Sequence, residues 1–359
     1  MKLNTSCSDG SDQRPALSRR EFGQIVGAAA VAATLHGANP ARLPAQAKPA
    51  ATSESLVKQL YDSLTPGQKE EVCFAWDYQD DRGLLRTHVS NNWNITDLSK
   101  LSVAGDFYTK DQQALIRQIF TGLYNPEWHD RIFKQLKDDT DGAPFGKEQS
   151  IAIFGKPGSG QFEFVMTGRH LTIRCDGDST DHVAFGGPIF YGHAAAGFNE
   201  PVGHPGNVFW PQAQQANKLY QMLSGKQREQ ALVAVAPQES KVEFKGKTGA
   251  IAGLPISELS ADQKDHAKGV LKALLDPYRE ADRTEAVKML DAQGGLDACR
   301  LAFYRKAADG TSLDLGDDGE WDVWRIEGPS FVWHFRGVPH VHVWVNVADD
   351  ASLKLNAKG

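Results

Sequence analysis

The chain has 359 residues, with 39 Lys+Arg against 45 Asp+Glu, so 39 − 45 gives a net charge of −6, and 41% of its residues are hydrophobic. That composition is ordinary for a globular protein and excludes a disordered or fibrous chain. A sequence pI near 6.0 excludes a generally basic surface for nucleic acid. No uncharged apolar run of about 18 residues lies beyond the N-terminal leader, which excludes a multi-span membrane protein.

The leader reads Ser18-Arg19-Arg20-Glu21-Phe22, then an Ala-rich apolar stretch from Ile25 to Leu35, then Ala45-Gln46-Ala47. Paired arginines before a weakly hydrophobic core, followed by an A-x-A pattern, make a twin-arginine export signal over residues 1–47. The apolar stretch is too short to span a bilayer. The expected partners are therefore the twin-arginine export machinery and a signal peptidase cutting after Ala47. The mature protein is expected in the periplasm or secreted, with no membrane attachment after cleavage. That export route carries folded proteins, often ones loaded with a cofactor, so a bound metal is in keeping with it. Cys73, Cys175 and Cys299 remain in the mature part. An odd set of three makes no disulfide scaffold and reads as buried free thiols.

Residues 48–54 are small and polar and read as a flexible lead-in to one α+β domain over 55–359. Leu56, Leu60, Tyr61 and Leu64 recur at helical spacing. Thr65-Pro66 restarts a helix with Thr as its cap. After a turn-rich stretch over 77–107, Thr109 and Gln112 form a capping box opening a helix to about Tyr124. Asn125-Pro126 begins another through Leu136, ended by the acidic run 138–142. Ile151–Phe154, Phe162–Val165 and Leu171–Arg174 read as short strands between Gly-rich turns. Helices return over about 211–233. A strand-like Val242–Phe244 follows, then a second capping box, Ser260 with Gln263, and helices over about 261–275 and 279–293. The end reads as strands: Cys299–Tyr304, Trp321–Ile326, Phe331–Phe335 and His340–Val347. The fold class expected is α+β, one domain whose antiparallel sheet is built from the middle and C-terminal strands and flanked by helices.

Three familiar patterns are set aside. Ser55-Leu-Val-Lys58, Ser90-Asn-Asn92 and Lys247-Thr-Gly249 imitate the serine β-lactamase trio, but the serine stands too near the mature N-terminus. Gly155-Lys-Pro-Gly-Ser-Gly160 lacks a phosphate loop's ending and reads as a hairpin turn. Asp139-Thr-Asp141-Gly142 imitates part of a calcium loop but begins on Lys137, and an acidic helix end explains it.

The histidines carry the strongest chemical signal. His334, His340 and His342 fall on two strands around the turn Gly337-Val338-Pro339. A three-residue loop would pair Arg336 with His340 and His334 with His342, so that all three imidazoles share one sheet face. Converging neutral imidazoles suit zinc, copper or iron. His170, at the start of the strand Leu171–Arg174, is a fourth candidate ligand.

Three segments, Ile153-Phe-Gly-Lys-Pro157, Phe164-Val-Met-Thr-Gly-Arg-His-Leu171 and Gly187-Pro-Ile-Phe-Tyr-Gly192, precede Ile326-Glu-Gly-Pro329, Phe331-Val-Trp-His-Phe335 and His340-Val-His342. In order and spacing, over about 50–350, this chain resembles an exported bacterial family known as domain of unknown function 3500. The family's Gly-His-His stands where this chain has Gly168-Arg169-His170, and a family glutamate stands at His334. The resemblance matches His170, His340 and His342 position by position. It departs at Arg169 and at Val345, where the family has arginine. It implies a frame and no reaction.

The function expected is that of an exported protein with one transition metal, a metal-dependent hydrolase or oxidoreductase. The ligands expected are His334, His340 and His342, with His170 as a fourth or supporting group. Glu327 and Glu163 are the acid/base candidates, Glu163 reading more as a solvated strand residue. Arg169 is a candidate for holding an anionic small-molecule substrate. The alternative is a non-catalytic binding protein with a cleft lined by Trp321, Trp324, Trp333 and Trp344.

Overall fold

A computed structural model describes residues 52–177, 179–194, 204, 206–311 and 319–357. The expected export signal, its cleavage site and residues 48–51 of the lead-in lie outside the described residues. Residues 53 and 54 already belong to the first helix, Ser53–Ser63, whose cap is Thr52. The lead-in therefore ends earlier than its small, polar composition suggests.

Nine α-helices are found among the described residues, and capping boxes open several of them. Thr65/Gln68, Thr109/Gln112, Ser224/Gln227 and Ser260/Gln263 each show both reciprocal bonds. The capping glutamines also interlock in space. Gln68 Nε2 donates to Gln112 Oε1 at 2.9 Å, and Gln227 Nε2 donates to Gln263 Oε1 at 3.1 Å. Each local start signal thus also fixes where one helix start meets another. No helix among the described residues is long and apolar enough to cross a membrane.

The strands are β1 (Cys73–Phe74), β2 (Gln79–Asp80), β3 (Gly83–Leu84), β4 (Gln149–Gly155), β5 (Phe162–Gly168), β6 (Leu171–Cys175) and β7 (Ile189–His193). They continue as β8 (Leu232–Val233), β9 (Leu254–Pro255), β10 (Arg300–Tyr304), β11 (Val323–Gly328), β12 (Phe331–Arg336) and β13 (Val341–Val347). Ten of them run in the order β1-β4-β5-β6-β7-β13-β12-β11-β10-β8, with β9 added on β10, and β2-β3 form a separate pair. The fold is α+β, and the interior of the sheet is antiparallel. The two edge pairings, β1-β4 and β10-β8, are parallel. Val242–Phe244 is not a strand. Its neighbourhood runs across a sheet face, where Asn346 Nδ2 donates to the Val242 carbonyl and Arg325 Nη2 to that of Lys241.

The two faces of the sheet differ in chemistry. On one, Ile151, Phe164, Ile173, Tyr191, Val343, Trp333 and Phe303 pack against Leu60, Ile116, Leu219, Val270 and Leu290 of the helices in one large core. Trp321, Trp324 and Trp333 belong to that core. Trp344 projects from the opposite face, against Phe190, Val242 and Val332. The four tryptophans therefore line no common cleft, because alternation along β11, β12 and β13 divides them between the faces. Irregular chain, including Leu85, Val89, Ile95 and Val242, covers the second face. That face carries Glu163, Arg174, Arg325, His334, His342 and Asn346, all nearly excluded from solvent. Cys73, Cys175 and Cys299 are free thiols, and burial pushes Cys73 up to about 11 and Cys299 up to about 12.

Candidate metal centre

On the polar face the strands place side chains in rows. Gly192 on β7 pairs with His342 on β13, which pairs with Arg336 on β12. The β6-β7 register extends this row to His170, which follows Arg169 in the tight β5-β6 turn between the paired residues Gly168 and Leu171. His170 takes a left-handed backbone, φ 51°, in which its N–H donates to Asn92 Oδ1 at 3.1 Å. Gly192 lies between the two imidazoles. A Cβ there would come within 2.0 Å of the Val341 carbonyl oxygen and 3.1 Å of His170 Cδ2. Its missing side chain lets the rings meet across the strand.

The rings do meet. His170 Nε2 lies 3.0 Å from His342 Nε2, and His340 Nε2 lies 2.9 Å from the same atom. One ligand atom from each of His170, His340 and His342 fits within 4.8 Å of the others, so the three can hold a metal ion. His170 and His342 are buried and His340 is half-buried, which leaves one open side. Burial holds all three imidazoles below their ordinary range, His340 at about 4.

The outer nitrogens of the two buried rings face carboxylates. His170 Nδ1 lies 2.9 Å from Asp139 Oδ2, and His342 Nδ1 lies 3.1 Å from Glu239 Oε1. Asp139 stands just past the helix His129–Asp138 and accepts further hydrogen bonds from Gln135 Nε2 and the Ala194 N–H. Arg336 Nε lies 3.1 Å from Glu239 Oε2. With both Nδ1 protons given to carboxylates, the two Nε2 atoms present lone pairs to each other. Two ligands of one ion, each at about 2.0–2.1 Å, are themselves about 3 Å apart. Carboxylates behind metal-bound imidazoles are the usual outer support of such sites.

The expected hairpin is corrected in its loop. Arg336 pairs with His342 and His334 with Trp344, so the connection runs over Gly337–Val341, five residues rather than three. The Gly337 N–H donates to the Asp322 carbonyl at 2.6 Å, carrying the β12-β11 ladder one residue past Arg336 and delaying the turn. A shift of two residues keeps His334 on the face of His342 but moves it one row away. There it lies between Trp344 and Arg325, whose Nε donates to His334 Nδ1 at 3.2 Å. His334 is thus outside the convergent set, and His170 takes the third place.

The other candidates sit elsewhere. Glu327 shares the polar face but lies two strands from β13 and about 13 Å along the strand direction from His342. Its Oε2 is 3.5 Å from Arg325 Nη1. Glu163 is fully buried between Arg86, at 2.8 Å, and Arg174, at 3.2 Å, which overturns its reading as a solvated strand residue. Arg169 adjoins His170, and its charge adds to burial in depressing the imidazoles of His170, His340 and His342. Sequence spacing does not point to Asp139, Glu239 or Arg336 as site residues. The only sequence signal for Asp139 was the acidic run that imitated a calcium loop.

No match to a curated protein or to a solved structure is found for this chain. One family does match, over residues 46–345, a span that contains all three converging histidines together with Asp139 and Glu239. The chain belongs to that family, described as protein of unknown function (DUF3500).

Proposed function

We propose that this chain is an exported metalloprotein that binds one transition metal ion through the Nε2 atoms of His170, His340 and His342 and uses it in hydrolysis. The observation that carries the reading is the approach of His170 Nε2 and His342 Nε2 to 3.0 Å while Asp139 and Glu239 face both Nδ1 atoms. Without an ion between them, two nitrogen lone pairs would be buried face to face, which costs free energy. Asp139 and Glu239 fix the ring orientations, and Arg336 holds Glu239 in place. Zinc, copper or iron held by these three residues would supply Lewis acidity toward water and a substrate, the chemistry of a hydrolase, and half-buried His340 lies on the side nearer solvent. Export is supported by the twin arginines and by Ala45-Gln46-Ala47.

Elemental analysis of protein purified from media supplied in turn with zinc, copper and iron tests the reading. About one ion per chain is expected, retained through gel filtration. A folded wild type that retains none from any medium overturns it.

A further inference from the structure

A cavity of about 520 Å³ lies on the polar face beside the histidine trio, within the size range of small-molecule sites. His334, Arg336, Trp344, Glu239, Ser90 and Val323 contribute to its walls. Glu239 is the shared partition: its Oε1 faces His342 Nδ1, while its side chain also borders the cavity.

His334 is the chemically distinctive wall. It is only 1% exposed. Arg325 Nε donates to its Nδ1, so the imidazole proton resides on Nε2. No protein group among the described residues accepts that proton. With no acceptor among the described residues, that N–H in the cavity wall is left to whatever occupies the cavity, and it marks where a ligand atom belongs. The two flanking arginines, Arg325 and Arg336, add to burial in keeping this imidazole neutral, so it acts as a donor and does not carry charge. Arg325 behind the ring polarises the Nε2–H toward whatever accepts it. Arg336, two residues along the same strand face, reaches the same cavity; its Nε is paired with Glu239 Oε2 at 3.1 Å, while its Nη contacts, to Glu239 Oε1 and the His340 carbonyl, are both long at 3.5 Å and leave the Nη groups with donor capacity for an anion. The Trp344 indole, directly across from His334 in the β12-β13 ladder, offers an apolar surface for an organic body.

We propose that this cavity binds a small organic carboxylate, one oxygen accepting the Nε2 proton of His334 and the charge facing Arg336. The site uses no histidine of the trio and does not depend on the proposed metal.

Calorimetric titration of the full mature chain with sodium benzoate and with succinate, before and after removal of metal by a chelator, tests the assignment. Benzyl alcohol serves as the uncharged control, and metal content is measured on every sample. Saturable binding of at least one carboxylate is expected, with an affinity unchanged within about threefold by metal removal, and with no binding of the alcohol. His334→Ala is expected to weaken binding at least tenfold at unchanged metal content, and His334→Gln, which keeps an N–H donor, to restore most of it. Should the variants not fold, the histidine ¹⁵N spectrum of the wild type decides, because the protonated Nε2 of His334 must shift on carboxylate addition. Absence of binding, binding that requires the metal, binding indifferent to His334→Ala, or an unmoved Nε2 signal would each overturn the proposal. Since the site is read without the metal, a protein that proves metal-free leaves this test standing.

Discussion

Asp139 Oδ2 and His170 Nδ1 lie 2.9 Å apart, both side chains buried, joining a helix end to a hairpin turn 31 residues further on. The carboxylate does two things for the trio. It accepts a hydrogen bond from the Nδ1–H, which leaves Nε2 free to act as a ligand, and it fixes the ring plane against the Gly192 backbone. Asp139→Asn preserves volume but presents an amide that can donate to Nδ1, driving the proton to Nε2. Metal affinity is expected to fall about 10–100-fold, the usual effect of losing such an outer partner. Competition against a chromophoric chelator measures it, and an unchanged affinity would count against the tautomer argument.

The ligand set itself is separable by substitution. His342 is the central nitrogen, within 3.0 Å of both others, so His342→Ala should reduce metal from about one ion per chain to almost none. His334→Ala should leave the metal in place, because the five-residue loop puts His334 in the neighbouring row. His266→Ala is the control, on the helix Ala261–Leu275, where its Nε2 lies 3.0 Å from the Gln215 carbonyl and outside the trio. Metal lost from the His334 variant, with its fold intact, would restore the three-residue hairpin.

That one loop shows where sequence reasoning reached its limit. The face of His334 was legible, because alternation survives any even shift, whereas the row was not. It depends on a single bond from the Gly337 N–H to a strand the pattern does not mention. The helix starts were legible because Thr or Ser followed by Gln three residues on is a local signal with a local cause. The sequence pattern does not mark β7 as a strand: only five residues long, it lies among glycines and a proline, and its partner β13 is about 150 residues away in sequence. It is nevertheless the strand that joins the middle hairpins to the C-terminal ones and brings His170 to His342. Asp139 and Glu239 were illegible for the same reason: their roles come from contacts 31 and 103 residues away, and their local surroundings read as a helix end and a loop.

Acid should destabilise the metal-free protein. Burial depresses His340 to about 4 and His88 to about 4 from an ordinary 6.5, and it lowers His170, His334 and His342 as well. Over the window between those values the unfolded chain binds more protons than the native one, so stability present above pH 6.5 is lost as pH falls toward 4. Glu163, raised to about 7, Asp282, raised to about 6, and Glu239, also raised by burial, act in the opposite sense but are outnumbered. Urea midpoints should therefore drop between pH 7.5 and pH 4.5. Bound metal, which requires unprotonated imidazoles, should make the drop steeper. A midpoint that rises on acidification would show that the buried carboxyls dominate.

Export is tested on the leader alone. The mature N-terminus is expected at Lys48, read by N-terminal sequencing of the secreted or periplasmic form. Arg19→Lys with Arg20→Lys should retain the uncut precursor in the cytoplasm. Full-length chain in the cytoplasm of the wild type would refute the assignment.

The polar face has a second buried ionic cluster, and its role is stability. Glu163 accepts from Arg86 Nη1 at 2.8 Å and from Arg174 Nη1 at 3.2 Å. Arg174 is spread over backbone as well, donating to the carbonyls of Pro188, Arg86 and His88, and so ties β6 to the covering chain over 86–88. Glu163→Ala removes the carboxylate that contacts both guanidinium groups and leaves two buried charges short of their partner, with Asp176 acting on Arg174 from further off. Breaking such a pair from one side costs about 3–5 kcal/mol, far more than the intact pair contributes net. The variant should unfold at a markedly lower urea concentration with the slope of the transition unchanged, while its metal content per folded chain stays at the wild-type level. A loss near zero would mean that water reaches the cluster and that this face is less tightly covered than its side chains indicate.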